Sequence, residues 1–228
     1  MAEIIEPKTL RGFRDSLPQT EILKLEIQDK LTRVFRSYGF VPIDTPVLEY
    51  AEILLGKGGG ETDKQVYRFQ DHGQRDVAMR FDLTVPFARF MAAHSQELYL
   101  PFKRYHMAKV WRGENTQRGR YREFIQIDFD IVGVDSASAD FEILTVMRDS
   151  LRALGIEDFQ IRFSHRALFN ELLGALDLAG QYLPVLRVID KLSKIGHEKV
   201  EEQLREIAGA DRAKQILTFI TAEQSGEA

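Results

Sequence analysis

The sequence predicts an α+β domain built on an antiparallel sheet flanked by helices and followed by a helical segment. Two observations support this class. Strand patterns fill the middle third of the chain and lie between blocks with helical periodicity, and two of these strands form a hairpin instead of alternating regularly with helices. We find no internal repeat and no low-complexity tract.

The first predicted helix runs from about Thr20 to Tyr38. Apolar residues recur there at steps of three and four, and Gly39 is placed as a C-terminal stop. The segment that follows reads as a short strand interrupted by Pro42 and Pro46. Because proline cannot donate to a sheet, these positions predict a sheet edge or a subunit boundary.

The middle third is predicted to be rich in strands. VYRFQ and VAMRFDL are followed by a helix with Pro86 in its first turn, and then by the hairpin of KRYHMAKVWR and YREFIQIDFDIVGV. A helix is predicted from Ser136, and FQIRFSH predicts a further short strand. Later helices are predicted to begin near Ala167, His197 and Asp211.

Composition excludes several classes of function. The 31 basic and 35 acidic residues give a net charge of −4, so the chain is not a basic nucleic-acid coat. The absence of cysteine excludes disulfides, thiolate zinc sites, iron–sulfur clusters and thiol nucleophiles. A chain without cysteine is typical of the reducing cytoplasm, so we expect a cytoplasmic protein. No apolar run approaches the roughly 18 residues of a membrane span, so a membrane protein is not expected.

The second strand of the predicted hairpin has two unlike faces. Strict alternation places one set of side chains on the apolar face, and the other face carries Arg122, Phe124, Gln126, Asp128 and Asp130. The apolar face can pack on helices, and the polar face must meet water or a ligand. A half-solvated sheet and a binding site both fit this pattern.

The loop of the hairpin concentrates arginines in an otherwise slightly acidic chain: Arg112, Arg118, Arg120 and Arg122. Guanidinium groups match phosphate oxygens bidentately, which favours a polyphosphate clamp with Phe124 stacked on a base. The alternative is a solvated loop whose charges are paired internally by Glu114 and Glu123.

Other familiar motifs are missing. There is no GxxxxGK[ST], HExxH or GxSxG, so no metal site is predicted from a direct motif, and GKGGG reads as a flexible or lid loop. In RFDLTVPF, Asp82 and Thr84 can together bind an ammonium group at a strand end. From that segment alone, a role for Thr84 as a helix cap is favoured.

The segment KRYHMAKVWRGENTQRGRYREFIQIDFDIVG closely resembles motif 2 of class II aminoacyl-tRNA synthetases, in the form found in histidyl-tRNA synthetases. RGFRDSLP, the region of Pro46 as motif 1, and RFDLTVPFAR extend the resemblance in the family's order from about residue 8 to residue 195. It implies a class II antiparallel sheet flanked by helices, with a homodimer interface around Pro46.

The resemblance also implies roles for individual residues. Arg112 binds the α-phosphate of ATP and acts in catalysis together with Gln126. The other ATP-binding residues are Glu114, Arg120 and Phe124, with Arg120 facing the nucleotide or the tRNA acceptor end. The histidine-binding residues are Asp82, Thr84, Gln126 and Asp130. The implied reaction uses ATP, Mg²⁺ and histidine to form histidyl-adenylate, and then transfers histidine to tRNA(His).

Parts of the family pattern are not found in these 228 residues. They are the RGLxYY-like segment, motif 3 and the anticodon-binding domain, so we expect an N-terminal fragment or one half of a split enzyme, completed by a second chain. Residues 1–180 are assigned to the catalytic core, and residues 181–228 to the start of a helical insertion. A histidine-binding, synthetase-like regulatory subunit of ATP phosphoribosyltransferase is the alternative function, and an inert relative is a third.

Overall fold

The computed structural model describes residues 5–56, 65–163 and 166–221. They fall into two compact units that divide between Ile161 and Arg162. This division lies earlier in the chain than the domain boundary predicted after residue 180, and the assignment of residues 181–228 to a helical insertion stays a prediction. The predicted lid loop around Lys57 lies outside the described residues.

The first unit mixes helices and strands, as predicted for an α+β domain. In chain order its elements are α1 (Pro18–Ser37), β1 (Val41–Pro42), β2 (Leu48–Tyr50), α2 (Ala51–Leu55), β3 (Arg68–Gln70), β4 (Asp76–Met79), α3 (Thr84–His94), β5 (Phe102–Trp111), β6 (Glu123–Val132) and α4 (Ala137–Ala153). They form two three-stranded sheets, with strand orders β1-β5-β6 and β2-β4-β3. All pairings are antiparallel except β1 with β5, so the predicted antiparallel sheet acquires one short parallel edge strand.

The two prolines occupy positions that suit their missing N–H groups. Pro42 lies in the edge strand β1, where it pairs with Tyr105, and Pro46 lies exposed in the connection between β1 and β2. The sheet-edge prediction is therefore confirmed for Pro42, whereas Pro46 lies outside the strands. The predicted subunit boundary at Pro46 stays a prediction.

Helices α1 and α4 cover the apolar face of the β5–β6 hairpin. Phe35 of α1 is 1% exposed, and its ring centre lies 5.0 Å from that of Phe129 and 5.4 Å from that of Tyr105. Leu31 and Val146 belong to the same buried cluster, which joins the two helices to the hairpin. The hydrophobic contacts of this cluster hold the hairpin in place and leave its other face for the site.

The segment that precedes α3 is not a strand over its full predicted length. Strand β4 ends at Met79, and Arg80 is the residue that follows it. The Arg80 N–H donates to the carbonyl of Val47 at 2.9 Å, and the buried side chain donates from Nε to the carbonyl of Lys109 at 3.0 Å. Arg80 thereby links the two sheets beside the start of α3.

The second unit is helical. It contains α5 (Arg166–Ala175), a 3₁₀ turn (Ala179–Gln181), α6 (Tyr182–Ile189), α7 (Leu192–Ile195), α8 (His197–Ala208) and α9 (Ala210–Thr221). Its core includes the fully buried side chains of Leu173, Val185, Val200, Leu204 and Ile216. The predicted helices near residues 167, 197 and 211 are confirmed.

The strand predicted for FQIRFSH is wrong over residues 159–163. The backbone of these residues is not in strand conformation and forms no ladder with any of the six described strands. Ser164 and His165 lie outside the described residues. No helix among the described residues is long and apolar enough to cross a membrane.

Candidate active site

The polar face of the β5–β6 hairpin gathers the predicted site. In an antiparallel pair, residues directly opposite each other share a face. The register therefore places four cross-strand pairs together: Arg104 with Asp130, His106 with Asp128, Ala108 with Gln126, and Val110 with Phe124. The predicted segregation of polar and apolar residues along β6 is confirmed, since Ile127 and Phe129 pack on the opposite face.

A chain of hydrogen bonds runs along this face. Arg112 follows β5 and donates from Nε to the carbonyl of Phe81 at 2.9 Å, and from Nη2 to Oε1 of Gln126 at 3.2 Å. Gln126 in turn donates from Nε2 to the two carboxylate oxygens of Asp128 at 3.0 and 3.1 Å. The guanidinium carbon of Arg112 lies 5.1 Å from the ring centre of Phe124. A cation, an aromatic ring, an amide and a carboxylate thus form one row.

The start of α3 brings a second carboxylate to this row. Oδ1 of Asp82 accepts the N–H of Val85 at 3.2 Å, within the first turn of the helix. Asp82 therefore satisfies a donor that a helix cap normally satisfies. Thr84 is the first residue of α3, Leu83 precedes it as the cap residue, and no side-chain cap bond forms. The capping role favoured for Thr84 is wrong.

Arg104 is a buried charge that the sequence analysis did not assign to the site. Its side chain is 0% exposed, its Nη2 lies 2.5 Å from Oδ2 of Asp130, and its guanidinium carbon lies 3.9 Å from the ring centre of Phe87 in α3. The sequence carried a signal for it. Arg104 is a charged residue on β5 at the position that faces Asp130 across the hairpin.

The site perturbs two carboxyl groups. Burial raises the pKa of the Asp82 carboxyl, and the charge of Asp128 adds to the rise, whereas Arg112 opposes it. Burial also raises the pKa of the Asp130 carboxyl, while the positive charge of Arg104 opposes the rise. Groups shifted by burial together with a specific charge partner are typical of functional sites.

The loop of the hairpin is partly paired internally, as the alternative interpretation held for Glu114, whereas Glu123 bonds instead to two residues of β5. Arg120 forms an ion pair with Glu114, and Arg122 donates from Nε to the carbonyl of Glu114 at 3.0 Å. The N–H of Arg122 also donates to the carbonyl of Gly12 at 2.9 Å. A side chain at Gly12 would meet the Arg122 side chain at 2.7 Å, so this close approach requires glycine. Arg122 therefore attaches the N-terminal segment to the loop.

A match to a known protein family identifies the family of the chain that carries this site. The family described as histidyl-tRNA synthetase matches residues 12–228. The chain belongs to the histidyl-tRNA synthetase family. A histidine–tRNA ligase of Treponema denticola is 57% identical over 221 residues, which are 97% of this chain and 49% of that protein.

Solved structures agree with this membership. The crystal structure of histidyl-tRNA synthetase from Nostoc sp. PCC 7120 matches with a TM-score of 0.86 and 33% identity, over 97% of this chain and 50% of that one. A Bacillus halodurans structure titled ATP phosphoribosyltransferase regulatory subunit/histidyl-tRNA synthetase matches with a TM-score of 0.80 at 24% identity, over 97% of this chain and 57% of that one. That second likeness shows the fold alone. The chain spans about half the length of the curated relatives it matches.

The structure therefore brings together most of the site residues that the sequence predicted. Arg112, Phe124, Gln126 and Asp130 share the polar face of the hairpin, and Asp82 and Thr84 lie at the start of α3. Glu114 and Arg120 contact each other in the loop of the hairpin. The role of each residue toward a substrate stays a prediction.

Proposed function

We propose that this chain supplies the ATP- and histidine-binding part of a histidine–tRNA ligase. One observation supports the proposal above the others. Arg112 lies within 5.1 Å of the Phe124 ring and hydrogen-bonds Gln126, so a phosphate-binding cation, a base-stacking ring and a polar amide occur side by side in a member of this family.

ATP is proposed to bind at the loop end of the hairpin. The Phe124 ring stacks on adenine, and the Arg112 guanidinium contacts the α-phosphate. Because Arg112 is fixed by the carbonyl of Phe81 and by Gln126, little side-chain freedom is lost on binding. Glu114 and Arg120 bind the nucleotide from the loop, and the exposed Arg120 can exchange its ion pair for a phosphate or for the tRNA acceptor end.

Histidine is proposed to bind at the middle of the hairpin face. Asp82 and Thr84 bind the α-ammonium group. The two acidic groups Asp82 and Asp128 favour a bound cation, because they are close enough for the charge of Asp128 to act on Asp82. Gln126 meets the carboxylate or amino end, and Asp130 completes the pocket. In the proposed arrangement, the carboxylate of histidine lies next to the α-phosphate of ATP.

The proposed chemistry depends on position and charge. A carboxylate oxygen of histidine attacks the α-phosphorus of ATP, the bond to pyrophosphate breaks, and Arg112 stabilises the charge on the α-phosphoryl oxygens. A ribose hydroxyl of tRNA(His) then attacks the carbonyl carbon, and AMP leaves. No group of three metal-ligating side chains occurs among the described residues. Mg²⁺ enters this proposal as the usual companion of ATP phosphates.

The proposed assembly is a cytoplasmic homodimer through the region of Pro46, with a second polypeptide segment or chain completing the site. Apolar side chains near Pro46 are exposed, namely Val41, Val47, Leu48 and Tyr50. Four exposed apolar side chains within a stretch of ten residues favour a protein interface here. Sedimentation of the chain with Val47→Glu as the disrupting variant and Val134→Glu as the control tests the interface.

The regulatory-subunit function is the less favoured alternative. A protein that only senses histidine has no use for Arg112 and Phe124 as an ATP site. The Bacillus halodurans likeness supports a shared fold and does not favour either function. Histidine-dependent association with a short phosphoribosyltransferase chain, without ATP binding, would favour this alternative.

The proposed function is tested by histidine-dependent exchange of pyrophosphate into ATP. The chain is assayed alone and mixed with the half of the Treponema denticola ligase that it does not match, with the other amino acids as controls. We expect exchange with histidine in the mixture and little with the chain alone. Exchange that requires a different amino acid, or no exchange by the mixture when the whole Treponema denticola ligase exchanges under the same conditions, would contradict the proposal.

A further inference from the structure

Arg104 is buried without the hydrogen bonds that a buried guanidinium normally makes. None of its three nitrogens has a hydrogen-bond partner among the described residues, although the side chain is 0% exposed. A guanidinium carries five N–H donors, and an unpaired buried donor costs free energy. Such a group persists where it serves a purpose other than the stability of the fold.

The surroundings of Arg104 hold it in one place. The Phe87 ring of α3 covers it at 3.9 Å, and Asp130 faces it across the hairpin with 2.5 Å between Nη2 and Oδ2. The short distance is a direct ionic contact, although its angles are not those of an aligned hydrogen bond, since Oδ2 also lacks a hydrogen-bond partner. Charge attraction and not directional bonding therefore joins the pair.

Asp130 presents its remaining surface to the open side of the site. Its side chain is 41% exposed although Oδ2 is buried, so the exposure belongs to the rest of the carboxylate. One oxygen faces the buried cation and the other is free to accept an N–H group from outside. A carboxylate held in this way is preorganised for a ligand.

We propose that Arg104 is a positioning residue for the amino-acid pocket: it fixes the Asp130 carboxylate so that its outer oxygen accepts an N–H group of the bound amino acid. This inference rests on the proposed function for the identity of the amino acid, which is histidine. Arg104 does not itself touch the ligand. It acts through the charge and the orientation of Asp130.

The groups that face Asp130 determine the expected effect of removing Arg104. Asp128 on β6 is negative, Phe87 on α3 is apolar, and Arg104 on β5 is the cation that opposes burial. Arg104→Met leaves burial and Asp128 acting alone, so the Asp130 pKa rises further. A larger fraction of the Asp130 carboxyl is then protonated at a given pH, and a protonated carboxyl accepts hydrogen bonds less well.

The test is a carbon-detected NMR titration of the Asp130 carboxyl in the unliganded chain, assigned by comparison with Asp130→Asn. We expect Arg104→Met to raise the Asp130 pKa by at least about one unit, Arg104→Lys to restore it largely, and Lys103→Met to leave it unchanged. Lys103 is the matched control, because it is the preceding residue on β5 and pairs with Glu142 instead. An unchanged Asp130 pKa in Arg104→Met would overturn the inference and leave Arg104 a purely structural cation.

Histidine binding by the same chains supplies a second readout. The dissociation constant of Arg104→Met should exceed that of the parent at acidic pH, by up to about the tenfold that a one-unit rise of the Asp130 pKa allows, and the ratio should shrink as pH rises and Asp130 ionises. The protonation of free histidine also depends on pH, but it affects both dissociation constants equally and therefore cancels in their ratio. A ratio that does not change with pH would contradict the inference. A parent chain that binds no histidine would contradict the proposed function alone, because the carboxyl titration needs no ligand.

Folding of the variants is checked with a double substitution. If Arg104→Met unfolds because Asp130 is left as an unpaired buried charge, then Arg104→Met with Asp130→Asn should fold again. Failure of the double variant would leave Arg104→Lys to decide. If Asp130 in Arg104→Lys titrates as in the parent, the result supports the role of the charge. If the Asp130 pKa in Arg104→Lys rises as far as burial without a neighbouring cation would raise it, the result contradicts that role.

Discussion

The two faces of the β5–β6 hairpin use the same pair of ten-residue strands for opposite purposes. The apolar face meets α1 and α4 and holds well-packed rings such as Phe35 and Phe129. Most of the buried side-chain atoms that lack hydrogen-bond partners among the described residues belong to Arg104, His106 and Asp130, all on the polar face. The difference teaches that one face stabilises the fold, and that the other tolerates unsatisfied groups which a ligand site can use.

The largest expected effect lies on the apolar face. Phe35→Ala removes a ring that is 1% exposed and contacts both strands of the hairpin, so the first unit should lose about 3–5 kcal/mol of stability. The single tryptophan, Trp111, lies in this unit, so its fluorescence reports thermal unfolding there. Phe141→Ala, at a ring that is 69% exposed, is the control and should change little. Equal losses of stability for Phe35→Ala and Phe141→Ala would contradict the stabilising role of the apolar face.

Asp82, the carboxylate that the start of α3 brings beside the polar face, should behave in the opposite way. The pKa of Asp82 is raised by burial, so the folded chain binds a proton more tightly than the unfolded chain does, and stability falls as pH rises through the window above the ordinary value of 3.8. Asp82→Asn should therefore raise the unfolding temperature by a few degrees at pH 7 and should have little effect below about pH 3.8. Asp135→Asn, at an exposed loop residue, is the control. A loss of stability at pH 7 would contradict the account.

A smaller effect is expected where α1 meets α4. The Tyr38 hydroxyl donates to Asp149, and this bond is the first cause of the raised Tyr38 pKa. Tyr38→Phe should cost about 1 kcal/mol of the first unit's stability. Tyr182→Phe makes the same chemical change in the second unit and should leave the Trp111 transition in place. No difference between the two would show that α1 and α4 are held by apolar contacts alone.

Local sequence patterns predicted much of the fold and of the candidate site. The alternation along β6 placed Phe124, Gln126 and Asp130 on one face, because side chains in a strand alternate whatever surrounds them. The resemblance to a family placed Asp82 beside them. Arg104 was missed, because its burial depends on Phe87 of α3, which no pattern within β5 reveals.

Two errors show where local pattern fails. The hydroxyl of Thr84 suggested a helix cap, but the neighbouring Asp82 carboxylate accepts the N–H of Val85, and α3 begins at Thr84 itself. The apolar alternation of residues 159–163 suggested a strand, but strand formation depends on a partner far away in sequence. Both outcomes were decided by neighbours and not by the residues themselves.

The central claim is that the polar face of the hairpin binds two substrates at separate places. Calorimetric titration of ATP and of histidine into Arg112→Ala and Asp130→Ala tests it most directly, with Lys109→Ala and Asp135→Ala as charge-matched controls. Arg112→Ala should weaken ATP binding by about tenfold to a hundredfold, since a charged hydrogen bond contributes about 1.5–3 kcal/mol, and should affect histidine binding far less. Asp130→Ala should do the reverse. Titration curves that match those of the parent chain for both ligands would contradict the claim.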